Sequence, residues 1–216
     1  MKIVFWNAYH GFEKSQTGML PPQERKKQFA NWLNEQQADV VILLEMTGFD
    51  HTKLGVYASR WGHSNVLINS GTFPIAITSR WLIQSPFCHY QNMTNGFVMA
   101  KIQELDLFVT HIPPEQYAIR EIESQELLSH LIPLMRDNRS PLIFADLNSL
   151  PDSPLPNAMQ AIGLQIGCLD GGVDYIMNPH TKPMFSLVNQ EELSDHPALI
   201  LPWPTNESEN DKPTHP

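Results

Sequence analysis

Several short apolar stretches of this chain end in side chains that can hold a metal ion or a phosphate group. These residues are Asn7, Glu45, His111, Asp146 with Asn148, and Asp195 with His196. Each of them alone has an ordinary explanation as a turn or strand-end residue. Strand ends that converge on one rim of a sheet bring their side chains together, so the whole set predicts a single site.

The types of these residues suit metal-assisted attack of water on phosphorus. A hard divalent cation such as Mg²⁺ takes one or two carboxylates, and Glu45 is a suitable direct ligand. Asp146 would orient and deprotonate a water molecule. Asn148 would donate to the charge that builds on the non-bridging oxygens. A protonated His196 would bind the same oxygens, with Asp174 as the carboxylate that keeps it charged and oriented.

The elements that must position these residues are predicted as many strands and two main helices. Apolar residues at helical spacing predict helices over 22–37 and 115–135, with a shorter one over 155–161. Short apolar runs predict strands at 3–6, 40–44, 66–68, 75–77, 97–102, 105–110, 142–145, 173–177, 185–188 and 198–201. Strict strand–helix alternation is absent, which favours two sheets packed face to face with helices outside.

Composition indicates one folded domain followed by a tail. The chain has 216 residues, of which 42% are hydrophobic and 17% charged, and this excludes disorder for most of it. No flexible linker divides residues 1–201, which we predict to be one catalytic domain. Residues 202–216 are polar, acidic and proline-bearing, so we predict a flexible tail there. Two cysteines are too few for a disulfide framework.

The charge balance limits the kind of partner. Asp plus Glu number 23 and Lys plus Arg 14, which gives a net charge of −9. This argues against tight binding to nucleic acid through general basicity, but not against an enzyme that meets a phosphodiester only at a metal site. No apolar run approaches the ~18 residues of a membrane span. The apolar run at the N-terminus is too short for the core of a signal peptide. We therefore expect a cytoplasmic monomer with no membrane span.

Two further groups have more than one interpretation. The only basic run is Arg25, Lys26 and Lys27. It lies on a predicted helix, where such a run is usually a solvated face. Three residues near the third motif, Arg60, Trp61 and His63, would either line a substrate pocket or pack at a strand edge.

Seven motifs in a fixed order resemble the endonuclease/exonuclease/phosphatase superfamily, which includes pancreatic-type deoxyribonuclease. Three of them carry most of the resemblance: Phe-Ala-Asp-Leu-Asn at 144–148, Val-Asp-Tyr-Ile at 173–176 and Leu-Ser-Asp-His-Pro at 193–197. Tyr9 departs from the family's pattern, in which Asn, Asp or Arg is common two positions after the first asparagine. Abasic-site endonucleases carry a tyrosine near the position of His111, whereas the deoxyribonuclease, sphingomyelinase and 5-phosphatase branches carry a histidine, as here.

The resemblance implies an α/β fold, a four-layer α/β/β/α sandwich of two mixed β-sheets packed face to face with helices outside. It also implies cleavage of a phosphoester by activated water with Mg²⁺, or Mn²⁺, as the cofactor. A phosphodiesterase or nuclease that binds DNA or RNA weakly ranks first. The alternatives are a phosphatase or phospholipase-type member acting on small or lipid phosphoesters, and a catalytically silent binding module on the same fold.

Roles for individual residues follow from the same resemblance. The metal-binding residues would be Glu45, Asp195 and Asn7. The catalytic residues would be Asp146, Asn148, His196, Asp174 and His111. The substrate phosphate would be bound by Asn7, Asn148, His111 and His196. Because all these positions are intact, the resemblance favours an enzyme over a silent binding module.

Overall fold

Two six-stranded β-sheets face each other in the structure, a computed structural model that describes residues 1–114, 117–137, 139–168 and 171–204. In chain order the strands are β1 (Lys2–Asn7), β2 (Val40–Leu44), β3 (Asn65–Ile68), β4 (Ala76–Ser79), β5 (Ile83–His89), β6 (Phe97–Ile102), β7 (Leu105–His111), β8 (Leu142–Asp146), β9 (Gln165–Cys168), β10 (Asp174–Asn178), β11 (Ser186–Val188) and β12 (Ala198–Pro202). Sheet A has the order β11-β12-β1-β2-β4-β3, and sheet B the order β5-β6-β7-β8-β10-β9.

Four α-helices cover the outer faces of the sheets. They are α1 (Pro22–Gln36), α2 (His51–Ala58), α3 (Tyr117–Arg136) and α4 (Pro154–Ala161). Pro22 begins α1, where its missing N–H has no helical partner to lose. Pro133 lies inside α3, and the helix ends at Arg136, within one turn of the proline. None of the helices in the described part of the chain is long and apolar enough to cross a membrane.

Three apolar layers separate the two sheets and the helices. Phe5, Ile42 and Phe144 lie in the layer between the sheets. A second layer lies between sheet A and helices α1 and α2 and contains Trp6, Phe29 and Leu54. The third lies between sheet B and helices α3 and α4 and contains Phe108, Leu127, Leu131 and Met159. These layers confirm the predicted four-layer α/β/β/α sandwich with two mixed sheets.

The strand directions explain why the polar strand ends converge. β1 and β2 are parallel, and so are β7 and β8, so their carboxyl ends lie at one edge; Asn7 pairs with Leu44 and His111 with Asp146. β10 runs antiparallel to β8, so its first residue, Asp174, pairs with Asp146. β12 is antiparallel to β1, so the segment just before it reaches the same edge.

One α-helix, α2, and two strands, β5 and β9, were not predicted from the sequence. β5 and β9 are edge strands, and half-exposed edges do not show the continuous apolar runs of central strands. Helix α2 has only eight residues and contains Gly55, so its periodic signal is weak.

The prediction that the basic run at Arg25 is a solvated face is wrong for Arg25 itself. It lies on α1 as predicted, and Lys27 is exposed, but Arg25 is fully buried. Its guanidinium donates to backbone carbonyls, at 2.9 Å to Leu193 and 3.1 Å to Ala8, and also to Lys14. These acceptors satisfy the buried group, and no acidic side chain of the described residues forms an ion pair with it, which a local sequence pattern cannot indicate.

Trp61 and His63 pack inside the fold. Both are buried, and both contact the Thr78 hydroxyl, at 3.1 Å from Trp61 Nε1 and 2.7 Å from His63 Nδ1. The first two residues of the predicted tail pack with the fold instead: β12 reaches Pro202, and Trp203 exchanges backbone hydrogen bonds with Met1. Residues 205–216 of the predicted tail lie outside the described residues.

Candidate active site

Asn7 joins two carboxylates that come from different sheets. Its amide nitrogen lies 3.2 Å from Glu45 Oε1 and 3.1 Å from Asp146 Oδ2. Its amide oxygen accepts the Tyr9 N–H at 3.0 Å. Asp146 is buried, whereas 15% of the Glu45 side chain is exposed. In this orientation the two N–H groups of Asn7 donate to the carboxylates of Glu45 and Asp146 and keep them close together.

A strained backbone presents the Glu45 side chain. Glu45 has a φ of 57°, in the left-handed region, which costs a non-glycine residue about 1–2 kcal/mol. The His10 N–H donates to Glu45 Oε2 at 3.0 Å. The neighbouring Gly11 lets the turn after β1 pass close to the Thr47 backbone, because a Cβ there would lie 2.1 Å from the Thr47 carbonyl oxygen. The turn after β1 and the end of β2 are thus fitted to each other around this carboxylate.

His196 and Asp174 form an ion pair beside the two acids. His196 Nδ1 lies 2.7 Å from Asp174 Oδ2 and 3.9 Å from Asp146 Oδ2. Burial lowers the pKa of His196, but the hydrogen bond and charge of Asp174, with the charges of Asp146 and Asp195, outweigh it and raise the pKa to about 10. His196 is therefore a cation at neutral pH.

The pKa of Asp146 is raised as well, which for a carboxyl favours the neutral form. Burial and the charge of Asp174 raise the pKa of Asp146, while the charges of His111 and His196 counteract the rise. A carboxyl whose pKa is raised above its ordinary value is a better proton acceptor when ionised.

The buried His111 and the half-buried Asn148 complete the floor of the site. His111 Nε2 lies 3.8 Å from Asp146 Oδ2, 3.9 Å from Glu45 Oε1 and 3.4 Å from Asn148 Nδ2. Burial lowers the pKa of His111, although the charges of Asp146 and Glu45 act against this. Asn148 has a φ of 46°, and its N–H donates to Asp146 Oδ1 at 2.9 Å. Its amide nitrogen also donates to the Ile112 carbonyl at 2.9 Å.

Asp195 occupies the solvent-exposed rim of the site. Its Oδ1 lies 3.4 Å from Ser194 Oγ. The single hydroxyl proton of Ser194 is donated to the Asn7 carbonyl at 2.6 Å, and Ser194 Oγ accepts the His196 N–H at 3.2 Å. Trp6 Nε1 donates to the His196 carbonyl at 2.7 Å. Ser194 and Trp6 support the site but were not predicted from the sequence, although each directly precedes a predicted site residue.

The structure thus brings most of the predicted residues together in one network of contacts. Asp195 is the predicted residue outside this set, and it directly precedes His196 in the sequence. The contacting residues are Asn7, Glu45, His111, Asp146, Asn148, Asp174 and His196.

A row of aromatic rings borders the site on the side of the β1 turn. The ring centroids of Tyr9 and His10 lie 4.9 Å apart, those of His10 and Phe73 5.3 Å, and those of Phe73 and His111 6.0 Å. Tyr9, His10 and Phe73 are each half-buried. We call these three residues the aromatic wall; the sequence motifs did not reveal it, because Phe73 belongs to a loop far from Tyr9 along the chain.

The donor atoms at the floor fit a hard divalent cation. Glu45 and Asp146 supply carboxylate oxygens, which Mg²⁺ prefers over nitrogen or sulfur donors. Asp146, Asp174 and His196 each place one donor atom within 4.8 Å of the others. Asp174 Oδ1 is buried and finds no hydrogen-bond partner among the described residues. A buried carboxylate oxygen without a donor is a group that a cation or an ordered water satisfies.

Solved structures share this fold. An AP endonuclease from Archaeoglobus fulgidus is 16% identical with a TM-score of 0.68, covering 95% of this chain and 100% of that one. A 3' phosphatase, NExo, from Neisseria, bound to a product DNA hairpin, is 14% identical with a TM-score of 0.69 over 95% and 100% of the chains. The human Nocturnin catalytic domain with a bound sulfate anion is 16% identical with a TM-score of 0.66 over 93% and 92%. At these identities the likeness shows the fold alone.

Sequence comparison gives the family. Among curated proteins no sequence matches this chain significantly. The model of the Endonuclease/Exonuclease/phosphatase family matches residues 4–211, which include the strands and helices described above except the first two residues of β1. The chain therefore belongs to the Endonuclease/Exonuclease/phosphatase family.

Proposed function

We propose that this chain is a divalent-metal-dependent phosphodiesterase and that its substrate is a nucleic acid. The observation that carries the proposal is the meeting of Glu45 and Asp146 at the Asn7 amide, with the His196–Asp174 ion pair beside them. Two acids, an amide and an imidazolium around one point are the groups that in-line attack of water on phosphorus requires. Family membership supports phosphoester hydrolysis as the general reaction.

The metal would be held at the exposed face of the carboxylates. Glu45 would be its direct protein ligand, and Asp195, on the same rim, is the further acidic candidate. Mg²⁺, or Mn²⁺ in its place, would neutralise charge on the phosphate and lower the pKa of water when bound. Asn7 would position the two carboxylates, because its two N–H groups donate to Glu45 and Asp146, and the second lone pair of its oxygen, which accepts the Tyr9 N–H, would face the metal.

The remaining side chains would handle the proton and the developing charge. Asp146 would take the proton of the attacking water, which its raised pKa favours. His196, charged at neutral pH and held by Asp174, would donate to a non-bridging oxygen as negative charge increases there. Asn148 and His111 would donate to the same group from the floor, 3.4 Å from each other.

Nucleic acid is placed first for two reasons. The aromatic wall lies beside the phosphate site, and every base offers a face on which such rings can stack. Two structural neighbours carry nucleic-acid activities in their names, an AP endonuclease and a 3' phosphatase bound to a DNA hairpin. The net charge of −9 predicts weak binding, so cleavage would follow brief encounters.

The test is hydrolysis by the full chain with added Mg²⁺ or Mn²⁺. Bis-p-nitrophenyl phosphate serves as a generic phosphodiester, followed by plasmid DNA, single-stranded DNA, RNA, inositol phosphates and sphingomyelin. We expect turnover that EDTA abolishes and that Asp146→Asn lowers by about 10²–10⁴-fold. The matched control is Asp137→Asn, at an exposed site.

Each outcome of this screen has a distinct meaning. Preference for inositol phosphates or sphingomyelin would replace the nuclease assignment by a phosphatase or phospholipase-type one. Plasmid nicking that survives Asp146→Asn would come from a contaminant. Absence of hydrolysis on every phosphoester would overturn the proposal in favour of a binding module.

A further inference from the structure

Two histidines and a glutamate form a second cluster at the outer edge of sheet B. His89 is the last residue of β5, which lies two strands from β7, and Glu126 and His130 are one turn apart on α3. Glu126 Oε1 lies 2.8 Å from His89 Nε2 and 3.2 Å from His130 Nε2. Two imidazole nitrogens from different elements therefore converge on one carboxylate oxygen.

Neighbouring groups hold these three side chains in place. Asn92 Nδ2 donates to Glu126 Oε2 at 3.0 Å, which leaves Oε1 directed at the two imidazoles. The His89 ring stacks on Phe97, with centroids 4.9 Å apart and planes at 20°. The side chains are 13%, 16% and 34% exposed for His89, Glu126 and His130, so the cluster is partly shielded yet open to solvent. An amide that fixes a ligating carboxylate is the kind of outer contact that metal sites use.

We propose that His89, Glu126 and His130 bind a Zn²⁺ ion, with solvent as the fourth ligand. Zn²⁺ takes imidazole nitrogen and carboxylate oxygen at about 2.0–2.2 Å, so tetrahedral ligand atoms lie about 3.3 Å from one another. The two nitrogen–oxygen distances here are 2.8 and 3.2 Å, and all three donor atoms lie within 4.8 Å of one another. Small side-chain rotations bring the set to that geometry. The ion would fasten α3 to the edge strand β5.

The competing explanation is a hydrogen-bonded cluster without metal. Both imidazoles can donate an N–H to the same carboxylate, and this alone would link helix to strand. The two explanations differ in what the purified chain takes up. Only the metal site predicts a bound ion that depends on all three side chains, and only it predicts stabilisation by added Zn²⁺.

The experiment measures bound Zn²⁺ and thermal unfolding of the full chain. Metal-free protein is incubated with ZnCl₂, dialysed, and analysed for zinc per chain, for wild type, His89→Gln, His130→Gln and the control His51→Gln, an exposed histidine on α2. All four carry Asp146→Asn as well, so that the candidate active site contributes less to the count. We expect one equivalent of zinc in wild type and His51→Gln, and its loss in the other two.

Unfolding separates metal binding from folding defects. At a 100-fold excess over Kd, Zn²⁺ should raise the unfolding midpoint of wild type by about 5–10 °C. His130→Gln should show the metal-free midpoint with and without zinc, because glutamine keeps a hydrogen-bond donor near Glu126. Equal zinc content in all four proteins, or an equal zinc shift in His130→Gln, would leave a hydrogen-bonded cluster only and overturn the proposal. Neither readout requires phosphoester hydrolysis, so the two proposals succeed or fail separately.

Discussion

His196 Nδ1 lies 2.7 Å from Asp174 Oδ2, and this hydrogen bond joins the two sheets at the edge that carries the candidate site. Asp174 begins β10 of sheet B, whereas His196 lies just before β12 of sheet A. The two side chains are only 19% and 8% exposed. Because Asp174 is the main charge partner of His196, the charge of His196 and the positions of both side chains depend on correct docking of the sheets.

Asp174→Asn should lower kcat with little loss of structure. The asparagine oxygen can still accept from His196 Nδ1, but the negative charge that stabilises the imidazolium is gone. We expect kcat on bis-p-nitrophenyl phosphate to fall about 10²–10⁴-fold, with the circular dichroism spectrum unchanged. Asp137→Asn serves as the control. Near-normal kcat in Asp174→Asn would contradict a role for the charged pair.

Asn7→Ala should make stability depend on the metal. Without the amide, Glu45 and Asp146 lose a shared donor and face each other as like charges. We expect a loss of about 1–3 kcal/mol in the free energy of unfolding in EDTA. Mg²⁺ should recover more stability in this variant than in wild type, because a cation would take over the compensation. Urea unfolding with EDTA or Mg²⁺ measures both, with Asn157→Ala as the control at an exposed site.

Phe73→Ala tests the aromatic wall. Phe73 contacts the rings of His10 and His111 but lacks a group that reacts. If it stacks on a base, its removal should raise KM for single-stranded DNA by about 5–100-fold, since one stacked base contributes about 1–3 kcal/mol. Values of kcat should change little. Phe87→Ala, at a 48% exposed site, is the control. A fall in kcat with unchanged KM would instead indicate that Phe73 only supports His111.

Arg25→Met should destabilise the fold strongly. The buried guanidinium donates to the carbonyls of Ala8, Lys14 and Leu193, and methionine would leave these acceptors without a donor. Each unsatisfied buried acceptor costs about 1–3 kcal/mol, so we expect a loss of at least about 3 kcal/mol. Urea unfolding should show a far smaller change for Lys27→Met, which alters an exposed lysine on the same helix. Equal losses in both variants would contradict the inferred role of Arg25.

Protonation of His63 should lower the free energy of unfolding at acidic pH. Burial lowers the pKa of His63, while its hydrogen bond to the Ala38 carbonyl opposes the shift. The unfolded chain therefore takes up this proton first as pH falls below about 6.5, and the folded state loses up to about 1.4 kcal/mol per pH unit. Above that pH the contribution is fully retained. His63→Gln should remove this part of the decline between pH 7.5 and 5.5, whereas the exposed His51→Gln should keep it. Urea unfolding at several pH values measures the difference.

Local patterns accounted for the layers of the fold and for the group of residues at its edge. Asp146 and Glu45 follow runs of apolar residues that can only be buried strands, and their motif order indicated one rim. Helix α1 was predicted nearly to its ends, because Phe29, Trp32 and Leu33 repeat at helical spacing and Pro22 marks the start. Such signals are short-range, since each depends on residues within one or two turns or one strand.

Only the tertiary structure decided how distant segments contact one another. Arg25 looked like one of three similar basic residues, and the docking of the loops around it determined that it is buried. The convergence of His89 on Glu126 and His130 depends on α3 covering the edge strand β5, which the sequence did not predict. Periodicity reports which face of an element is apolar but not which element covers it. The ion pair, the aromatic wall and the second cluster therefore depend on how the strands, helices and loops pack against one another.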